Sequence, residues 1–485
     1  MNQLVFSSAI FLFAFLPLCL IGYAVVPKLK KAKHPLVLKN VFLLAASLFF
    51  YAWGEPRFVL VMIASILLNY AFALRIDRVR ENAKRAKLVL TAAIVLNFGL
   101  LFVFKYMGFA QYNVERLFGV NLGLPSLALP IGISFFTFQA MSYVIDVYRQ
   151  KGEVQTNPIN VALYIALFPQ LIAGPIVRYE TVAREIQTRT ITLADVDAGA
   201  RRFIYGLAKK LLLANHFAEI ADMVFARADL TGLGSLTVWL SAIAYMMQIY
   251  FDFSGYSDMA IGLGRMFGFH FDENFNYPYA ASSITDFWRR WHISLSTWFR
   301  DYVYFPMGGS RVKSRVGLIF NLFVVWSLTG AWHGANWTFF AWGLYYFVLL
   351  VAEKMLRIPE RLKVAKHAWL RGIYHAVTLV FVLVGWVLFR DTSWTRVLTY
   401  LKTMFVPMGQ PFWDWDASFM LRTVPFMIVG CVAAVLGAKV QKYADKLRAR
   451  TSVNILEYIA LFLLFFLSLC AALGSTNNPF IYFNF

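Results

Sequence analysis

Charged residues and cysteines are both scarce in this sequence of 485 residues. Asp, Glu, Lys and Arg together make up 15% of the chain, whereas about 25% is usual for a soluble domain. The three cysteines, Cys19, Cys431 and Cys470, each lie within an apolar run. These positions indicate neither a disulfide framework nor a zinc site. The low charge disfavours a soluble enzyme.

Common nucleotide-binding and hydrolase motifs are also missing. The sequence has no P-loop, no G-x-S-x-G elbow and no H-E-x-x-H pair. Gly262, Gly264 and Gly268 have the spacing G-x-G-x-x-x-G. This spacing misses the dinucleotide fingerprint and follows no predicted strand, so no Rossmann site is predicted.

Apolar residues are abundant instead. They make up 60% of the chain, aromatic residues make up 18%, and the mean hydropathy is +0.60. The aromatic content excludes disorder, so a multi-spanning membrane protein is the remaining class. The net charge of +20 comes from Lys and Arg in short loops between apolar runs. It therefore needs no nucleic acid to explain it.

About a dozen apolar runs approach the length of about 20 residues that crosses a bilayer. They predict an all-α polytopic protein with about 11 or 12 transmembrane or re-entrant helices. The run 4–26 is too long for a signal peptide and reads as a permanent span. The run 203–225 is the weakest, because Gly206, Lys209, Lys210 and His216 interrupt it. The other runs are 36–53, 58–74, 88–107, 127–147, 161–177, 236–253, 316–351, 373–389, 421–440 and 455–473.

Basic clusters set the predicted orientation. Lys and Arg collect at 28–33, 75–87, 149–151, 311–315, 354–371 and 439–450. Placing these clusters in the cytoplasm puts both chain termini on the extracytoplasmic side. The predicted organisation is one integral-membrane domain over 1–473, followed by an extracytoplasmic aromatic tail over 474–485.

His333 is the most unusual polar residue, because it lies near the middle of a long apolar run. The surrounding sequence 330–336 is GAWHGAN. Gly330 and Gly334 allow close approach of another helix or a ligand, and on a continuous helix Asn336 shares a face with the imidazole. Imidazole is suited to general-base chemistry. The alternative is a histidine satisfied by one interhelical hydrogen bond.

The stretch 286–302 combines aromatic and basic residues. Trp288, Trp291, Leu295, Trp298 and Tyr302 follow helical spacing, which predicts an amphipathic interfacial helix with its rings facing inward. His292 falls on the buried side, either as a packing histidine or as a functional one. Arg289 and Arg290 are candidates either for lipid-headgroup anchoring or for binding the phosphates of a donor such as coenzyme A.

Five segments together carry a family resemblance: 129–135, 170–175, 250–264, 286–302 and 332–336. They resemble the membrane-bound O-acyltransferases, in particular the bacterial alginate O-acetylases and peptidoglycan O-acetyltransferases. The resemblance runs from about residue 4 to the C-terminus. It implies a helical bundle around a transmembrane tunnel in the bacterial cytoplasmic (inner) membrane, surrounded by membrane lipid.

The resemblance implies roles for individual residues. His333 matches the hallmark histidine and His292 the second characteristic polar position, so both are predicted to be catalytic. Residues Asn336, Trp332, Trp288, Arg289 and Arg290 are predicted to line the tunnel or bind the donor. Acetyl-CoA is the expected donor substrate, with no permanently bound cofactor. A metal is unnecessary, because a thioester already has a good leaving group.

The acceptor side is also implied by resemblance. The expected acceptor is a polysaccharide, alginate or peptidoglycan, reached with an extracytoplasmic acetyltransferase- or esterase-like partner. The tail FIYFNF at 480–485 resembles a Phe-x-Tyr-x-x-Phe element whose tyrosine carries the acyl group. Tyr482 is therefore an acyl-carrier candidate, and an aromatic anchor at the outer interface is its alternative.

Two other functions remain open from the sequence. A transporter or flippase that catalyses no reaction would explain the many spans. However, the sequence lacks detectable internal repeats and has few buried carboxylates, whereas repeats and buried carboxylates are typical of such proteins. A lipid acyltransferase shares the histidine chemistry but leaves the aromatic tail unexplained.

Overall fold

The computed structural model describes residues 4–26, 35–230, 232–364, 367–405, 411–447, 451–474 and 480. All regular secondary structure within these ranges is helical, as predicted. The chain divides into two compact units. The first comprises Met1–Leu207, Tyr256–Asp272 and Ala472–Ser475, and the second comprises Ala208–Gly255, Glu273–Ala471 and Thr476–Phe485.

Nine helices of the described ranges are long and apolar enough to cross a membrane. A shorter apolar helix, Phe11–Val25, replaces the longer first span predicted at 4–26. The predicted class of polytopic all-α membrane protein is confirmed. The nine helices are Leu36–Gly54, Val59–Arg78, Ala83–Phe118, Ser235–Met266, Arg315–His333, Trp337–Met355, Ala368–Arg390, Trp415–Ala444 and Val453–Gly474.

Two spans predicted in the first unit have a different structure. The run 127–147 contains only the helix Ile133–Tyr148, and 161–177 is broken into Pro158–Ala166 and Phe168–Leu171. Both breaks lie at stretches that contain Pro and Gly, 129–135 and 169–175, and these two stretches approach each other. Gly132 has a φ of 73°, and a Cβ there would lie 2.9 Å from the carbonyl oxygen of Leu171. Two further helices of this region are Tyr179–Thr188 and Leu193–Ala208.

Buried hydrogen bonds join the helices of the first unit. Asn69 and Asn97 exchange side-chain amide bonds of 3.0 and 2.8 Å between two neighbouring spans. The Arg189 guanidinium donates to Asn40 Oδ1 at 2.7 Å and to Tyr23 Oη at 2.9 Å. These buried polar side chains are therefore paired with one another, because burying an unpaired polar group is costly.

In the second unit, a buried ion pair explains why the run 203–225 accepts a lysine. Lys210 lies in a π-helical turn, Lys209–Ala214, followed by the helix Asn215–Phe225. Its Nζ lies 2.6 Å from Asp252 Oδ1 on the long helix Ser235–Met266. Farther along, Ser241 Oγ donates to the carbonyl of Ala221 at 3.1 Å. The two contacts show that these helices pack antiparallel in a fixed register.

Candidate functional site

The long apolar run 316–351 is a helical hairpin rather than one span. The first helix, Arg315–His333, ends at His333, and the second, Trp337–Met355, begins four residues later. Asn336 caps the second helix, because its Oδ1 accepts the backbone N–H of Thr338 at 3.0 Å. The prediction that Asn336 shares a helix face with His333 is therefore wrong. His333 lies at a turn, where a side chain is not flanked by helix on both sides.

Small residues let the two helices of this hairpin touch through their backbones. A Cβ at Gly330 would lie 2.5 Å from the carbonyl oxygen of Phe339. A Cβ at Gly343 would lie 2.4 Å from the carbonyl oxygen of Trp326. The close approach predicted for Gly330 is confirmed, and its partner is the second helix of the same hairpin. This packing fixes where the turn holds His333.

Aromatic rings surround the imidazole of His333, which is 4% exposed. The ring centroids of Trp332, Trp342 and Phe389 lie 4.9, 4.9 and 5.0 Å from it, at interplanar angles of 82°, 79° and 82°. Such edge-to-face contacts orient the ring without ionising it. The surroundings exclude bulk water from a group suited to proton transfer.

The stretch 286–302 is also broken, at His292. It forms two short helices, Ile284–Trp288 and Ile293–Phe299, followed by a π-helical turn, Arg300–Tyr304. His292 has φ and ψ of 45° and 55°, a left-handed conformation that is costly for a residue with a side chain. The prediction of one continuous amphipathic helix is wrong. The inward position of Trp288, Trp291, Leu295 and Trp298 is confirmed by their burial.

A hydrogen bond to Asn274 holds His292, whose side chain is 1% exposed. Its Nδ1 lies 3.1 Å from Asn274 Oδ1. The same oxygen accepts the backbone N–H and the hydroxyl of Ser294 at 3.2 and 2.9 Å. Because the oxygen is thereby an acceptor, Nδ1 of the neutral imidazole carries the hydrogen. The lone pair is then on Nε2.

Burial keeps this imidazole neutral. It lowers the pKa of His292 to about 3, because a charged ring loses the solvation of water. Asn274 was not identified from the sequence, since it lies 18 residues before His292. No helical or strand spacing connects the two positions.

Trp332 lies near both histidines. Its ring centroid is 4.9 Å from that of His333 and 5.9 Å from that of His292. His292 also contacts Phe253, at a centroid distance of 4.7 Å and an interplanar angle of 89°. The structure thus brings the two predicted catalytic histidines to one aromatic cluster of the second unit.

The other predicted donor-binding residues are placed differently. Trp288 packs edge-on against Trp326 and Tyr346, with centroid distances of 4.9 and 4.8 Å. Arg290 Nε lies 2.9 Å from Asp286 Oδ1, and Arg289 is exposed. These two arginines do not contact the histidine cluster, so their role as donor-binding residues stays a prediction.

The C-terminal tail reaches the same cluster through one described residue. Phe480 is 2% exposed, and its ring centroid lies 5.9 Å from that of Phe253. Phe253 is the residue that packs edge-on against His292. Tyr482 lies outside the described residues.

These features define a multi-pass membrane protein with two buried histidines in one aromatic cluster. The sequence model of the membrane-bound O-acyltransferase family matches residues 133–390, a range that includes both histidines. The chain belongs to this family, and the predicted family and enzyme class are confirmed. It is an O-acyltransferase, which sets aside the transporter alternative.

Relatives of several activities are similar to the chain. A probable alginate O-acetylase of Azotobacter vinelandii is 38% identical over 99% of this chain and 100% of its own length. A peptidoglycan O-acetyltransferase of Helicobacter pylori is 33% identical over 99% of this chain and 98% of its own. A teichoic acid D-alanyltransferase of Bacillus subtilis is 29% identical over 53% of this chain and 68% of its own.

Proposed function

We propose that this protein transfers acetyl groups from cytoplasmic acetyl-CoA, through a site at His333, to a polysaccharide outside the bacterial inner membrane. The observation that carries the proposal is the position of His333. Its imidazole is buried at a helix turn among three rings, in the part of the chain that the family model matches.

Acetyl transfer from a thioester requires a positioned base and the exclusion of water, and the surroundings of His333 are suited to both. The oxygen of an attacking hydroxyl bonds to the thioester carbonyl carbon, and the carbon–sulfur bond breaks. His333 takes the hydroxyl proton and returns it to the leaving thiolate, so the reaction needs no other reactant. A positioned base of this kind contributes about 10²- to 10⁴-fold in rate. The aromatic surroundings keep water from competing as the acceptor.

His292 serves as an orienting group in this proposal. Its Nδ1–H is engaged by Asn274, so Nε2 presents a lone pair. A lone pair accepts a hydrogen bond from an O–H or N–H of a substrate, but it does not polarise a carbonyl oxygen. Orientation of a substrate is therefore favoured over polarisation of the thioester.

The proposed direction of transfer rests on the basic loops. Their cytoplasmic placement puts the chain termini on the far side of the inner membrane. The tail then comes from the acceptor side, where the burial of Phe480 beside Phe253 supports its entry into the histidine cluster. Tyr482, two residues further, is the proposed acetyl carrier between His333 and an extracytoplasmic partner protein.

Intact-mass analysis tests the carrier role of Tyr482. After incubation with acetyl-CoA, we expect an acetyl adduct on the C-terminal peptide of the unmodified protein and none in Tyr482→Phe. Tyr443→Phe, at an exposed tyrosine, is the matched control. Normal acetylation of the polysaccharide by Tyr482→Phe would refute the relay.

Alginate is the favoured acceptor, because the alginate O-acetylase of Azotobacter is 38% identical to this chain, whereas the peptidoglycan O-acetyltransferase of Helicobacter is 33% identical. Peptidoglycan is the second candidate, supported by the Helicobacter relative. The test places the gene in two hosts, one lacking its alginate O-acetylase and the other lacking its peptidoglycan O-acetyltransferase. Acetyl ester restored to alginate alone is expected. Restoration of peptidoglycan acetylation instead would transfer the assignment to the second candidate, and restoration of neither would contradict a polysaccharide acceptor.

A further inference from the structure

Glu353 is a buried carboxylate that takes no part in the proposed acetyl transfer. It lies near the end of the helix Trp337–Met355 and is 3% exposed. Its Oε1 accepts the backbone N–H of Ile284 at 2.7 Å, and its Oε2 accepts that of Thr285 at 2.8 Å. The hydroxyl of Thr285 donates to the same Oε2 at 2.7 Å.

A second helix completes this attachment. Tyr374 Oη, near the start of the helix Ala368–Arg390, donates to Glu353 Oε1 at 3.2 Å. The neighbouring His375 donates from Nδ1 to the carbonyl of Ala281 at 2.7 Å. Two membrane helices thus hold the backbone at 281–285, and the carboxylate satisfies N–H groups at the start of a short helix that have no partner within it.

The attached backbone leads directly to His292. Trp288 packs on Tyr346 at 4.8 Å, and Trp291 packs on Trp386 at 4.7 Å. Tyr346 belongs to the helix that carries Glu353, and Trp386 to the helix that carries Tyr374. His292 follows at the next position, in its left-handed conformation.

The same two helices also supply rings around His333. Trp342 lies on Trp337–Met355 and Phe389 lies on Ala368–Arg390. Their ring centroids are 4.9 and 5.0 Å from that of the imidazole. A displacement of 281–285 from these helices therefore changes the position of His292 with respect to His333, while leaving the rings around His333 in place.

We propose that Glu353 is a positioning residue for catalysis, which sets the placement of His292 by holding the 281–285 backbone to the helices around His333. This inference rests on the proposed role of His292. A glutamine at this position keeps the volume but offers one acceptor oxygen and turns an NH2 group toward a backbone N–H. The loss of one carboxylate oxygen breaks the attachment at Ile284 or at Thr285.

A double-mutant cycle tests the proposal. The measured quantity is the release of CoA from acetyl-CoA by inverted membrane vesicles of cells that acetylate the polysaccharide, normalised to the amount of protein. Glu353→Gln is expected to lower kcat by about 10- to 100-fold with little change in the KM for acetyl-CoA. In a protein that already carries His292→Ala, the same substitution is expected to lower kcat no further, since residues that act as one unit are not additive.

Matched variants separate positioning from general destabilisation. Glu360→Gln makes the same change at an exposed position and is expected to leave kcat unchanged. Thr285→Val removes only the hydroxyl bond to Oε2 and provides a milder test if Glu353→Gln does not fold. We expect it to show a smaller loss of kcat that likewise vanishes when His292→Ala is present.

Three outcomes would overturn the inference. They are full activity of Glu353→Gln, an equal loss of kcat with and without His292→Ala, and full activity of His292→Ala itself. None of these outcomes would contradict the proposed acetyl transfer at His333. The variant His333→Ala tests that transfer separately in the same vesicles.

Discussion

The two buried histidines of the second unit are held by different means. His292 is fixed by a hydrogen bond to Asn274 and by a left-handed backbone, whereas His333 ends a helix and lies among three edge-on rings. The first arrangement assigns one tautomer and excludes charge. The second orients the ring through edge-to-face aromatic contacts. The contrast supports an orienting role for His292 and a proton-transfer role for His333.

Apart from replacement of the histidines themselves, the largest effect is expected from Gly330→Ala, which changes only the surroundings of His333. The added Cβ would lie 2.5 Å from the carbonyl oxygen of Phe339, so the hairpin must open. Overpacking of this kind costs about 1–3 kcal/mol, and we expect most of the acetyl transfer to be lost. The measurements are the melting temperature in detergent and CoA release in vesicles.

Gly372→Ala is the matched control for that prediction. Gly372 also lies in a helix, but a Cβ there meets nothing within 4 Å. It should therefore keep the activity and the melting temperature. Equal behaviour of the two variants would contradict the claim that backbone contact in the hairpin sets the position of His333.

An intermediate effect on activity is expected from Asn274→Ala, which changes only the surroundings of His292. The substitution removes the acceptor shared by His292 Nδ1 and Ser294, so the tautomer is no longer fixed. We expect kcat for CoA release to fall about tenfold, within the range known for misplaced catalytic groups.

Asn276→Ala is the control, since this side chain is exposed in the same loop. It should leave kcat unchanged. An unaltered kcat in Asn274→Ala would show that the tautomer of His292 does not matter for the reaction.

The smallest effect concerns stability at low pH. The pKa of His292 is lowered by burial to about 3, below the ordinary value of about 6.5, so the unfolded chain binds a proton more readily. The stability linked to neutral His292 is complete above pH about 6.5 and is lost progressively as the pH falls toward the lowered pKa.

Melting curves at pH 7 and pH 5 in detergent measure this contribution. The unmodified protein should lose more stability between these pH values than His292→Gln, which has no imidazole to protonate. Identical losses in the two proteins would contradict a neutral, buried His292.

Run length and hydropathy predict spans well where a helix faces lipid, as for Leu36–Gly54 and Val59–Arg78. They fail at 127–147 for a physical reason. The apolar run includes Pro130 and Gly132, but the helix begins only at Ile133 and has 16 residues, fewer than the roughly 20 that cross a bilayer. Hydropathy counts apolar residues and does not detect the backbone break at Pro and Gly.

The sequence singled out the two histidines by residue type but did not predict their local geometry. Gly334 and Asn336 were visible signals for a helix end and a new N-cap, yet both also suit a continuous apolar helix. At His292, the helical spacing of the tryptophans persists across the break, because two short helices share one buried side. Asn274 and Glu353 act over distances along the chain that no local pattern reveals.

The proposed role of His333 is tested by comparing His333→Ala with His292→Ala in one assay of acetyl transfer from radiolabelled acetyl-CoA to the polysaccharide. His367→Ala, at an exposed histidine, is the control and should retain full activity. We expect His333→Ala to abolish transfer in a protein that still folds in the membrane, while His292→Ala retains a measurable rate. Retained transfer by folded His333→Ala would contradict proton transfer by His333.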